Sequence, residues 1–188
     1  MTGGAAEKAS RRGSESPVRI ERRIDAARGY LTLEKPEHAL RELAGAAGSL
    51  RHRFDVSRLR GDAMRLLGRY GDAVGLYTRA LAERPDALPV LMGLASCYRH
   101  LGQLSRATVA VEEANRLHPN EPAVLFAMSR FYALAGETER AFGWLGRAAR
   151  ICPDIAGWAD RDADFAAVKA IPHFQWLLEA ARIRQSPE

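Results

Sequence analysis

The chain has 188 residues, with 28 Lys and Arg against 23 Asp and Glu, 47% apolar residues and 7% aromatics. That length and apolar share suit one domain or a short array of repeats with a real core, and exclude a wholly disordered chain. No stretch approaches the roughly 18 uninterrupted apolar residues of a membrane helix. The N-terminus carries two arginines with no apolar run behind them, unlike a secretory signal. Cys97 and Cys152 make neither a disulfide framework nor a CxxC. A cytoplasmic protein is expected.

Residues 1–17, MTGGAAEKASRRGSESP, are expected to form a disordered basic tail. From there the chain is periodic. Residues 54–87 hold Met64, Gly68, Ala73, Ala80 and Pro85. The series returns after 34 residues as Tyr98, Gly102, Ala107, Ala114 and Pro119 in 88–121, and after another 34 as Tyr132, Gly136, Ala141, Ala148 and Pro153 in 122–155. Five columns agreeing over three periods mark an internal repeat. One period earlier, Ala27, Tyr30, Ala39 and Ala46 fill the matching columns of 20–53, but Glu34 stands in the glycine column and Arg51 in the proline column. Residues 20–53 are therefore a degenerate first copy, as terminal repeats commonly are.

Within each copy the pattern predicts helix, short turn, helix. Leu91, Leu94, Ala95, Tyr98 and Leu101 recur at helical spacing and make one apolar face. Gly68, Gly102 and Gly136 suit left-handed ends of the first helices. Alanines at 107 and 114 allow close approach of two antiparallel helices, Pro119 stops the second one, and Pro89 and Pro122 fit the first turn of the next. Asn120 is the expected N-cap of the fourth copy. Residues 156–184 leave the period but remain amphipathic through Phe165, Val168, Phe174, Leu177, Leu178 and Ala181, in two short helices separated at Pro172.

With these columns in place, residues 20–155 resemble the tetratricopeptide repeat family, most closely through Leu94, Ala95, Tyr98, Gly102, Ala107, Ala114 and Pro119 of the third copy. The resemblance implies an all-α fold: a right-handed superhelical array of about four antiparallel helix–turn–helix units with C-terminal capping helices. It also implies a concave face lined by the first helices, where ligands meet recurring positions. Projected onto this chain, those positions include Arg28, Arg58, Asp62, Arg65, Met92, Arg99, Phe126 and Arg130. Guanidinium groups suit bidentate recognition of carboxylates, and Met92 and Phe126 share one column where a groove accepts an apolar anchor. The expected ligand is a peptide with acidic groups beside an apolar anchor. A solvated face is the alternative, since 25 of the 28 cations are arginine and some can pair along their own helix, Arg58 or Arg65 with Asp62.

Catalytic and metal signatures are missing. The five histidines are scattered, no phosphate loop, dinucleotide fingerprint or GxSxG occurs, and Cys97 with His100 is a pair rather than a site. Asp160, Asp162 and Asp164 alternate like a calcium loop, but the required Gly and Glu positions hold Phe165 and Ile171. These aspartates are expected to cap a helix beginning near 163. The columns of the carboxylate clamp found in family members that hold chaperone tails are also unmatched. No enzyme, cofactor or metal is expected. The leading reading is a noncatalytic scaffold or adaptor binding another protein. A client-binding secretion or assembly chaperone is the second, RNA binding through the basic first half is the third, and self-association stays open.

Overall fold

The computed structural model describes residues 16–183. Most of the expected disordered tail, and residues 184–188, lie outside the described residues, and helix begins already at Pro17. Among the described residues there are ten α-helices, one 3-10 turn and no strand. None of these helices is long and apolar enough to cross a membrane. The chain divides after Pro85 into two compact units.

The first unit pairs α1 (Pro17–Thr32) with α2 (Pro36–Ala46), and α3 (Arg53–Leu66) with α4 (Tyr70–Glu83). Ile20, Ile24 and Ala27 of α1 pack with Ala39, Leu43 and Ala46 of α2 and with Val56 and Leu59 of α3. Each large aliphatic group so enclosed contributes about 1.5–3 kcal/mol of burial. The α3–α4 contact trades size between columns. Gly61 stands where the other copies have Ala27, Ala95 and Ser129, while Tyr77 stands opposite Leu43, Val111 and Leu145. A Cβ on Gly61 would lie 2.7 Å from the Tyr77 ring, so the small residue admits the large one.

The second unit pairs α5 (Leu88–His100) with α6 (Leu104–Leu117), and α7 (Pro122–Leu134) with α8 (Thr138–Ile151). Pro89 and Pro122 occupy first turns, where a missing N–H costs nothing. Glu121, not Asn120, sits at the N-cap of α7. Asn120 instead takes φ 69°, a left-handed turn after Pro119 that asparagine tolerates. Beyond Pro153 come α9 (Ile155–Arg161), the 3-10 turn Ala163–Phe165 and α10 (Pro172–Ile183). These elements close the apolar side of α7 and α8. Phe174 packs on Phe142 at 6.1 Å between ring centres, and Phe165, fully buried, lies 5.5 Å from Phe174.

One turn recurs in every pair. Glu34, Gly68, Gly102 and Gly136 have φ between 53° and 77°. The following N–H then reaches back to the last helical turn: Lys35 to Tyr30, Arg69 to Met64, Gln103 to Tyr98 and Glu137 to Tyr132, at 2.8–2.9 Å. This satisfies carbonyls that the helix end would otherwise leave unpaired. The degenerate copy keeps the turn without glycine, at a cost of about 1–2 kcal/mol for a left-handed non-glycine residue. It departs at the other end. Helices α4, α6 and α8 each have 14 residues, whereas α2 has 11 and stops at Ala46.

Candidate functional site

The first helices α1 and α3 carry Arg28, Arg58, Asp62 and Arg65 around one cavity of about 480 Å3, with Leu31, Leu59 and Leu66 on its walls. These charges are not bare. Arg28 donates to Asp25 at 3.1 Å and, across to α3, to Asp55 at 2.9 Å. Arg58 donates to Asp62 at 3.1 Å, the i,i+4 pairing open to it in sequence. Asp62 also accepts from the Tyr77 hydroxyl at 2.7 Å. Burial, then the Asp62 carboxylate, push that phenol well above its ordinary range against the opposing pull of Arg65. Asp62 thus helps to hold α4 on α3 as well as lining the face.

The corresponding face of the second unit meets a different fate. Arg99 of α5 donates Nε to Asp164 Oδ2 at 2.9 Å and Nη2 to Oδ1, a bidentate pair. Arg130 of α7 donates Nη2 and Nε to the same Oδ2 at 2.6 and 3.0 Å, and its Nε also stands 2.9 Å from Asp162 Oδ2 as an ion pair. The Asp164 side chain is 5% exposed while both arginine side chains keep more than a quarter of their surface. Burial alone would raise this carboxyl, but the hydrogen bonds and charges of Arg99 and Arg130 outweigh it and hold the group below its usual range. Asp162 caps the 3-10 turn by accepting from the Asp164 N–H at 2.9 Å. The cap expected from these aspartates is therefore made by Asp162 on a 3-10 turn; Asp164 points inward instead.

Apolar groups complete the arrangement. Phe126 of α7 lies 5.8 Å from Phe165 and 5.9 Å, edge to face, from Trp158. Arg130 lies over the Phe126 ring at 5.9 Å. Met92, one period before Phe126, is half-buried on α5. A cavity of about 430 Å3 remains beside the ion cluster, bounded by Arg99, His100, Leu104, Leu134 and Asp164. The segment from Trp158 to Phe165 thus lays two carboxylates and two rings on the arginines and phenylalanine of the first-helix face.

Asp164, Phe165 and Trp158 were the residues that the periodic reading missed as partners of this face. Asp164 lies 65 residues from Arg99 and 34 from Arg130. The second separation equals the repeat, and that coincidence was the one signal available.

Elsewhere the polar groups serve the scaffold. The Tyr132 hydroxyl donates to Glu112 at 2.6 Å and accepts from Arg140 at the same distance, and burial followed by Glu112 raises the phenol to about 12. No group of three or more His, Cys, Asp and Glu side chains capable of holding a metal occurs among the described residues. Cys97 is buried and Cys152 half-buried, and neither forms a disulfide.

Residues 65–114 match the family described as tetratricopeptide repeat. No curated protein sequence matches. Among solved structures, the chain is similar to MamA, residues 41 to the end, from Desulfovibrio magneticus RS-1, at TM-score 0.67 and 19% identity over 89% of this chain and 98% of that one. It is similar to TTC0263, a thermophilic tetratricopeptide repeat protein of Thermus thermophilus, at 0.66 and 18% over 88% and 89%. It is likewise similar to YrrB, described as a tetratricopeptide repeat protein with an unusual peptide-binding site, at 0.66 and 17% over 87% and 84%. At these identities the likeness is one of fold. Four helix–turn–helix pairs with one shared turn, the family match over residues 65–114 and these neighbours converge on one conclusion: the chain has the tetratricopeptide repeat fold.

Proposed function

We propose that the chain is a noncatalytic interaction module that binds a partner protein or peptide on its first-helix faces, with acidic groups beside an apolar anchor as the recognised feature. The observation that carries this reading is intramolecular. The chain lays its own Asp162, Asp164 and Phe165 on Arg99, Arg130 and Phe126, the chemistry that a preformed arginine-lined face favours in a ligand.

Because that segment already engages the second unit, the face left to a partner is that of α1 and α3. There Arg28, Arg58 and Arg65 adjoin Leu31 and Leu66 across an open cavity. An acidic ligand would replace the carboxylates of Asp25 and Asp55 on Arg28, an exchange of exposed pairs each worth well under about 1 kcal/mol. The peptide-binding site described for YrrB supports the class of ligand but not its position.

The test is selection of displayed random peptides on the immobilised full-length protein. Enrichment of sequences pairing Asp or Glu with a nearby Phe or Trp, lost in Arg28→Glu/Arg65→Glu with helicity unchanged, is the expected result. Peptides without acidic bias, or equal recovery by the variant, would sink the reading. Arg99 and Arg130 are unsuitable for this test, since a glutamate at either would face Asp164 and unseat the C-terminal segment.

A further inference from the structure

The opposite side of α3 departs from the two copies of the second unit, as does the first copy with Arg23 and Ala26 in the same columns. In α5 the fourth and seventh positions of the copy are Leu91 and Leu94, and in α7 they are Leu125 and Met128, all buried. In α3 those columns hold Ser57 and Arg60. The early end of α2 at Ala46 coincides with this change, and between α2, α3 and α4 lies a cavity of about 400 Å3. Its polar lining is Arg53, Ser57 and Arg60 from α3 with Arg79 and Glu83 from α4. Ser57 and Arg60 lie about half a helical turn around α3 from Arg58, Asp62 and Arg65, so this site is distinct from the first-helix face.

Two observations point to a ligand. Ser57 is only 9% exposed and lines the cavity, yet its hydroxyl has no hydrogen-bond partner among the described residues. Arg60 and Arg79 likewise have no ion-pair or hydrogen-bond partner among the described residues, while Arg53 donates to Glu83 at 3.0 Å. Three guanidinium groups against one carboxylate leave an excess of two positive charges around one concave volume.

We propose that this cavity binds a phosphate monoester in its dianionic form, with Arg60 and Arg79 donating to the phosphate oxygens and Ser57 donating its hydroxyl. A phosphate monoester carries about two negative charges near neutral pH and three strong acceptor oxygens, which match the charge excess and the donor set. A single carboxylate would compensate half of it. The cavity exceeds one phosphate group, and Val56 and Leu76 give the esterified organic part an apolar wall. Polar residues in a column that is aliphatic in two other copies carry a cost in core packing that a bound anion offsets.

Calorimetric titration of the full-length protein with inorganic phosphate, O-phosphoserine and a phosphoserine peptide tests this at constant ionic strength. Saturable binding is expected, weakened about tenfold or more in Arg60→Gln and in Arg79→Gln. Affinity should fall as the pH drops below the second phosphate pKa of about 6 and the ligand becomes a monoanion. Ser57→Leu should abolish binding while raising the melting temperature, because it restores the aliphatic column. Tighter binding of the peptide than of O-phosphoserine assigns the phosphate to a protein side chain; equal binding assigns it to a small molecule. Absence of saturable binding for all three, or an affinity in the Arg60→Gln and Arg79→Gln variants equal to that of the wild type, overturns the proposal.

Discussion

The two units apply the same repeat to their first-helix faces and neutralise it differently. In the first, Arg28 and Arg58 are paired by aspartates of α1 and α3, three, four or 27 residues away, and the cavity before them stays open. In the second, Arg99 and Arg130 are neutralised by a segment that has left the repeat, with Asp164 buried and Phe165 sealed between Phe126 and Phe174. Pairs made within the helices leave a face available, whereas a pair made by a distant segment closes it. The position of the counter-ion, more than the number of arginines, decides what such a face can do.

The largest expected effect comes from removing the aromatic plug. Phe165→Ala should destabilise the second unit by about 3–5 kcal/mol, the cost of emptying a fully buried phenyl site. Amide exchange should then quicken in α7, α9 and α10 and hold steady in α1 and α2. Equal loss of protection in both units would erase the distinction drawn between them.

Next comes the ion cluster. Asp164→Asn should cost about 3 kcal/mol, since it strips the shared carboxylate from two partly buried guanidinium groups. Because the carboxyl of Asp164 titrates below its unfolded value, its contribution is full above the ordinary carboxylate range of about 4 and is lost as the pH falls through the lower folded value. Acid unfolding followed by circular dichroism should therefore separate wild type from Asp164→Asn at neutral pH and bring them together at strongly acid pH. A constant gap across that range would show that the carboxylate charge is not what matters.

In the first unit Gly61→Ala should cost about 1–3 kcal/mol through overlap with the Tyr77 ring. Adding Tyr77→Leu, which recreates the Ala27 and Leu43 combination of the first copy, should recover much of the clash penalty in urea denaturation. The smallest effect belongs to Asp55→Asn. Loss of its pair with half-exposed Arg28 should change stability by less than about 1 kcal/mol while strengthening an acidic peptide on the first face. Weaker binding in that variant would mean that Asp55 helps the ligand rather than competing with it.

These contrasts mark what was legible in the chain. The helix–turn–helix unit could be read because Gly68, Gly102 and Gly136, with their alanines and prolines, repeat a local geometric demand at a fixed interval. Glu34 hid the same turn, since its backbone adopts the left-handed form against its residue preference. The pairing of Arg58 with Asp62 followed from helical spacing. Asp164 was misassigned for the opposite reason. Local chemistry makes an aspartate beside a turn a cap, and Asp162 takes that role, while tertiary packing turns its neighbour toward Arg99 and Arg130. Ser57 and Arg60 were visible as a break in two aliphatic columns, but a column break says nothing of the void beside it until the length of α2 is known.

All three tryptophans, Trp144, Trp158 and Trp176, belong to the second unit, and Trp158 meets Phe126 edge to face. The protein therefore carries a native optical label on one half only. Indole emission during thermal melting follows residues beyond 86, whereas the far-ultraviolet amplitude sums both halves. If the two traces part, the halves melt as separate cooperative blocks, and an emission change at constant helicity would time the departure of the C-terminal segment from its arginines.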